Sequence, residues 1–351
     1  MMNMIATRTQ LSAIGFDIDA HEFRAVQLIR SAKGISVLAW AIFPRQFEFA
    51  QEDRPGLPGV DELEWAKGIL GRRGFVGETI SIAISNDQCS SHVMELPPAQ
   101  SGAPIEQLAK MEVARAKKCS PEEFQIAQWS LPAKGRTQET LAVACPRSVI
   151  NDTIERYTQS GLTPGGIDLH ELAICRASPA VSVENEINAS LHIGWESSLA
   201  VITLGETVIY VRHIERGART VSDVAKGRYH LSDQGAGAII NDHWLADGAK
   251  EYAKIKKAAW TGFAAELATE LDVTIAYVSH SFRTAPLGKI RLSGYGSINP
   301  VIDEQLDKVL GIPIECSAPP ELVGAIGRGQ DAWSLACRLS VAFGLSARFD
   351  R

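Results

Sequence analysis

A short unit occurs twice in this chain, and its recurrence narrows the folds open to it. Ile14-Gly-Phe-Asp-Ile18 reads as a strand running into a polar turn; Phe23, Ala25 and Val26 open a second strand, and Ile35 to Phe43 a third, with Val37, Ala39, Ala41 and Phe43 on one face. Ala189 to Leu199, Ala200 to Leu204 and Val208 to Val211 repeat the order, with Gly194 in the first turn and Gly205-Glu-Thr as the next connection. A helix-rich part follows each copy. The pattern implies two related α/β halves, each a mixed sheet with helices against it.

The first turn carries Asp17 and Asp19 at the end of an otherwise apolar strand. Acids there have two readings. One is an edge hairpin with a polar turn; the other is a phosphate-facing turn in which an acid holds a metal-bound nucleotide.

Between the copies, Leu63, Ala66, Ile69 and Leu70 recur at helical spacing, with Gly71 and Gly74 as the stop, and Thr79 to Ile84 is a short apolar strand. After Asn86 the composition shifts. A strand at Ser90 to Leu96, a helix from Pro104 to Lys118, and strands at Phe124 to Leu131 and Glu139 to Cys145, joined through Lys134-Gly-Arg136, make a compact inserted unit. Its helix places Leu108 and Met111 on one face and a basic set, Lys110, Arg115, Lys117 and Lys118, on the remainder. The helix Ser148 to Tyr157, Ile167-Asp-Leu169 and the helix Glu171 to Arg176 return to the first sheet, and Ser178 to Asn188 crosses between lobes.

In the second half, short helices at Ser222 to Ala225 and Gly235 to Leu245 precede one long amphipathic helix. Its stripe is Tyr252, Ile255, Ala259, Phe263, Leu267, Leu271, Ile275 and Val278. The strand Lys289 to Ser293 enters the turn Gly294-Tyr-Gly296, and the helix Val301 to Leu310 is closed by Gly311. Asp331 to Arg348 reads as a single final helix. The expected units are 1–87 and 147–187 as the first lobe, 88–146 as the insertion, 188–330 as the second lobe with a helical part at 218–283, and 331–351 as closing helix and tail.

Several function classes lose support. A formal charge of −6 gives no basic field for nucleic acid. Six scattered cysteines without a Cys-x-x-Cys make neither a disulfide framework nor a zinc knuckle. His21, His92, His170, His192, His213, His230, His243 and His280 form no metal-ligand spacing, and there is no P-loop or Gly-x-Ser-x-Gly elbow. With neither a signal-peptide pattern nor an apolar run long enough to span a bilayer, the expectation is a cytoplasmic protein without direct membrane insertion.

The order of these motifs resembles the PilM-like family of type IV pilus assembly proteins, within the actin-like ATPase superfamily. The resemblance rests on Ile14-Gly-Phe-Asp-Ile and Arg24-Ala-Val-Gln-Leu28, then Leu141-Ala-Val-Ala-Cys145, Gly161-Leu-Thr-Pro164 and Ile167-Asp-Leu169, then Gly217-Ala-Arg219 and Ala336 to Asp350. It implies a two-lobed actin-like fold (a duplicated ribonuclease H-like unit) with an inserted small subdomain. It also implies a nucleotide between the lobes, so that Asp17, Asp19, Gly194, Glu196, Gly294 and Gly296 are the cleft positions, with ATP and magnesium as the cofactor. Finally, it implies a groove between first lobe and insertion, near Ser90 to Leu96 and Ile105 to Lys118, that binds the cytosolic tail of an inner-membrane partner.

The sequence departs from that family at the cleft. Asp19, Ala20 and His21 stand where the family has glycine and small hydroxyl residues. His192, Trp195 and Glu196 replace an acid, a small residue and threonine, and Tyr295 stands for a common glycine. Asp19 and Glu196 would set two extra negative charges toward an anion. The expectation is therefore a scaffold without a cofactor, whose degenerate cleft binds ATP with magnesium weakly or not at all and does not turn it over. Its rival is an ATPase whose nucleotide state switches partner binding. A cell-division relative would carry a membrane-seeking terminal helix, for which Leu345 to Arg351 is too short. Self-association is left open.

Overall fold

The computed structural model describes residues 9–46, 58–85, 88–97, 101–132, 139–178, 185–241, 249–282 and 285–348. The connector at 134–136, most of the crossing at 178–188, the end of the helix expected at 235–245 and the break at Asn86 lie outside those residues.

In chain order the first lobe opens with β1 (Gln10–Leu11), β2 (Ile14–Ile18), β3 (Glu22–Ser31), β4 (Gly34–Pro44), α1 (Val60–Arg72) and β5 (Thr79–Ile84). A separate unit follows, made of β6 (Ser90–Glu95), α2 (Ile105–Lys117), β7 (Phe124–Ser130) and β8 (Glu139–Pro146). The chain then returns through α3 (Arg147–Gln159), β9 (Thr163–Leu169) and α4 (His170–Ala177). The second lobe comprises β10 (Ile187–Ile193), β11 (Ser198–Leu204), β12 (Thr207–Ile214), α5 (Ala218–Tyr229), α6 (Asp233–Asn241), α7 (Ala249–Ser281), β13 (Leu287–Gly294), α8 (Pro300–Leu310) and β14 (Ile314–Cys316). Last come α9 (Pro320–Ile326), α10 (Gln330–Arg338) and α11 (Ser340–Ser346).

The two large sheets share one plan. In the first, β2, β3 and β4 form an antiparallel meander, and β5 and β9 continue from β2 in parallel. In the second, β10, β11 and β12 form the meander, and β13 and β14 continue in parallel from β10. Residue chemistry follows position. Every residue of β10 is buried, as suits a strand covered on both faces, whereas β4, at an edge, alternates along its first half. This is the two-lobed, duplicated actin-like architecture.

The long helix forms where its period predicts. Ala259, Phe263, Leu267, Leu271, Ile275 and Val278 are buried in the second-lobe core, beside Trp260. Asn299 caps α8 through Val301 N at 3.1 Å, and Gly311 ends it at φ 59°.

Two expectations are corrected. On α2 the buried face is Ala109, Val113 and Ala114, and Met111 is 53% exposed. Two residues on from Ala109 is about 200° around a helix, so Met111 points away from the sheet that Ala109 faces. The final segment is two helices rather than one. The chain redirects at Leu339 (φ −86°, ψ 0°), which turns α11 into the space between β2 and α4, where all its residues are buried.

Among the described residues, the strands of the inserted unit pair only with one another, in the order β6-β8-β7. The unit leans on the second lobe: Leu131 and Leu141 join that core, and Trp129 donates from Nε1 to Val208 O at 2.8 Å. Among the described residues, no helix is long and apolar enough to cross a membrane.

Helix α11 fits because it meets glycine at both contacts. A Cβ on Gly344 would lie 1.9 Å from Ala173 O, and one on Gly15 would lie 1.9 Å from Ala342 O. Gly344→Ala and Gly15→Ala should each lower the urea-unfolding free energy by about 3 kcal/mol or more, at the upper end of overpacking costs. Gly324→Ala, at an exposed position of α9 with nothing within 4 Å, should instead be neutral or stabilise by about 0.5–1 kcal/mol. Equal effects at the three positions would contradict this packing.

Candidate functional site

The first turns of the two meanders face each other across the lobes, and a buried ion cluster lies between them. Asp17, at the end of β2, and Glu22 and Arg24, at the start of β3, are each less than 5% exposed. The hairpin register sets Asp17 directly opposite Arg24. Arg24 Nε donates to Asp17 Oδ2 at 2.8 Å, and Nη1 lies 3.3 Å from Glu22 Oε1. Nη1 is also 2.7 Å from Asp19 Oδ2, an ion pair without hydrogen-bond alignment. Asp19 Oδ1 caps its own turn, accepting from His21 N at 2.7 Å and Glu22 N at 2.9 Å. Arg45 braces the same turn, donating to Asp19 O at 3.2 Å while paired in a buried salt bridge with Glu62.

The cluster reaches across the lobes. Glu22 is also ion-paired with Arg338 of α10. Tyr295, 1% exposed in the turn after β13, has its ring 5.0 Å from the Arg338 guanidinium and 5.9 Å from that of Arg24. The tips of the two turns touch directly, since His21 stacks on Trp195 with centroids 4.0 Å apart and planes at 13°. Trp195 packs in turn on Tyr295 at 5.6 Å.

Two histidines flank Asp17. His170 Nδ1 is 3.1 Å from Ile84 O, and Nε2 is 3.5 Å from Asp17 Oδ1. A carbonyl only accepts, so Nδ1 carries a proton, and the carboxylate favours a second on Nε2. Burial opposes that charge, but the hydrogen bond and charge of Asp17 prevail and the pKa rises. His192 is buried with Nδ1 2.9 Å from Ser293 Oγ; burial and then Arg24, against Asp17, push its pKa down to about 4. Asp17 itself is buried at a cost to its charge, yet Arg24 and His170 hold it well below the usual carboxylate range.

The expected cleft positions divide by what they do here. Asp17 and Asp19 meet in the cluster through Arg24. Glu196 does not join them: it pairs with Arg219 at 3.1 Å, with nearly half its side chain exposed. The anticipated repulsion is thus relieved, Asp19 by a buried guanidinium and Glu196 by a surface one. The glycines answer local needs. Gly294 is at φ 85°, where a Cβ would lie 2.1 Å from Ile193 O, and a Cβ on Gly296 would strike the Trp260 ring at 2.4 Å.

The sequence reading passed over Glu22, Arg24 and Arg338 as chemistry. The signal was there: Arg24 interrupts an apolar strand at a buried position, and Arg338 sits in an apolar helical run. Among the described residues, no group of three or more His, Cys, Asp or Glu side chains is placed to hold a metal.

Between the two turns, His21 stacks on Trp195, Trp195 packs on Tyr295 and Arg24 lies over the Tyr295 ring, while Asp17 is paired with Arg24.

The chain has the actin-like fold. Among solved structures, the chain is similar to one in the PilM-PilN type IV pilus biogenesis complex, at 18% identity over 96% of this chain and 98% of that one, with a TM-score of 0.76. It is also similar to the ethanolamine utilization protein EutJ from Carboxydothermus hydrogenoformans, at 13% identity over 95% and 89% of the two chains, with a TM-score of 0.54. In sequence, no family model and no curated protein matches.

The histidines set opposite limits in pH. An unfolded histidine near 6.5 takes up protons before His192, so stability falls as pH drops from about 6.5 to about 4, by roughly 3 kcal/mol in total. His170, raised, contributes fully below 6.5 and loses its contribution as pH climbs through its folded value. Urea unfolding between pH 4 and 9 should show greatest stability near pH 6.5, with the acid limb flattened in His192→Gln and the alkaline limb in His170→Gln.

Proposed function

We propose that this chain is a scaffold protein of a type IV pilus or related secretion machine, working at the cytosolic face of an inner membrane through a partner rather than by catalysis. The fold likeness to the PilM-PilN complex supports the setting. The observation that carries the non-catalytic reading is the direct stacking of His21 on Trp195 above the buried Arg24 cluster. In this reading the chain's own side chains bridge the lobes, and ATP with magnesium is not needed to do so.

Isothermal titration with ATP and magnesium should give no heat of binding at protein concentrations of tens of micromolar, and phosphate release should stay at the uncatalysed rate. Low-micromolar affinity abolished by Asp17→Ala would overturn the reading and favour a nucleotide-switched ATPase.

The inserted unit, 88–146, is the partner-facing part in this proposal. Strand β6 stands at the edge of its sheet, alternately exposed along its length, and Val93 on it is 58% exposed. An edge of this kind accepts an extended peptide as an added strand, with side-chain contacts giving specificity. Val93→Asp should weaken binding of a partner's cytosolic-tail peptide at least tenfold in surface plasmon resonance without changing the melting temperature; unchanged affinity would move the groove elsewhere.

A further inference from the structure

Cys316, on β14, and Cys337, on α10, come from elements of different packing layers, yet their sulfurs are 3.2 Å apart. Both are free thiols. Cys337 is fully buried, with Sγ 3.6 Å from Ser317 O, whereas Cys316 is partly exposed. Two thiols so close, one of them open to solvent, are placed for reaction with a small oxidant and then with each other.

We propose that Cys316 and Cys337 are a redox-active pair that a peroxide-class oxidant closes into an intramolecular disulfide, tying α10 to the second-lobe sheet. The inference goes beyond the scaffold reading and does not depend on it. The Cys316 thiolate attacks one oxygen of hydrogen peroxide, the O–O bond breaks, and Cys316 becomes a sulfenic acid as hydroxide leaves and takes up a proton. The Cys337 sulfur then attacks the sulfenic sulfur, the S–S bond forms, and the S–O bond breaks to release a second water. Two thiols lose two electrons and two protons, and one peroxide becomes two waters. The order of events follows from exposure. Contact with Cys337 also lowers the Cys316 pKa, against burial, while contact with Cys316 and burial push that of Cys337 up.

The location gives the bond a consequence. Cys337 immediately precedes Arg338, the α10 residue paired with Glu22 and packed on Tyr295. Cys316 lies on the strand beside β13, which leads into the Tyr295 turn. A bond between them would fix the helix that supplies Arg338 to the lobe that supplies Tyr295.

The test uses the whole reduced chain, treated with one equivalent of hydrogen peroxide, blocked at remaining thiols and mapped by peptide mass spectrometry, with hydrogen exchange followed over 330–338. The expected result is a Cys316–Cys337 cross-linked peptide as the main product and at least tenfold slower exchange in α10 after oxidation. In Cys337→Ala the reaction should stop at a sulfenic acid on Cys316 that dimedone captures. If that variant fails to fold, Cys316→Ser, at the more exposed position, should leave Cys337 reduced. Oxidation confined to Cys89, Cys119, Cys145 or Cys175, over-oxidation of Cys316 without a cross-link, or a cross-link that leaves α10 exchange unchanged would each overturn the proposal.

Discussion

Taking a guanidinium out of water costs several kcal/mol unless its charge is met, and Arg24 is met by Asp17, Asp19 and Glu22, all within 3.3 Å. Removing one partner from such a cluster typically costs about 3–5 kcal/mol, because the remaining charges stay buried. The arrangement of the lobes follows from that constraint. Glu22 needs a second cation, and Arg338 supplies it from α10; the two guanidiniums then flank Tyr295 from the second lobe. Three carboxylates against two guanidiniums leave one negative charge, and a protonated His170 beside Asp17 balances it.

If the proposed scaffold reading holds, the chain has moved the charge bridge of an actin-like cleft into itself. Phosphates and a metal would hold two lobes together only while bound. Here side chains span the lobes, and the stack of His21 on Trp195 closes the remaining gap. The fixed geometry then leaves the surface of the molecule, rather than its cleft, as the place where partners act.

The architecture was legible because it rests on periodicity and repetition. The alternating strands and the stripe from Ala259 to Val278 depend on side chains that all face one core, and such patterns survive in one dimension. What escaped was set by contacts distant in sequence. Nothing local to residue 339 breaks a helix; the break comes from the slot between β2 and α4 that α11 fills. Spacing alone puts Met111 on the wrong face because Ala109, Val113 and Ala114, rather than Leu108 and Met111, meet the narrow three-stranded sheet. At the cleft, the unusual residues were visible, but the expectation that Asp19 would repel an anion missed Arg24, only five positions further on, which neutralises it. Charge pattern in a sequence shows which groups are present; only the fold shows which of them are paired.

Helix α11 has a further bearing on how the molecule is made. Its residues, 340–346, complete the first lobe by packing on β2, β3 and α4, although β2 lies more than 300 positions earlier in the chain. During synthesis the second lobe leaves the ribosome with every strand of its sheet in hand while the first still lacks a wall. The earlier-made lobe is therefore the later to close, and its apolar face waits uncovered until α11 is made, the interval in which a holding chaperone would be of most use.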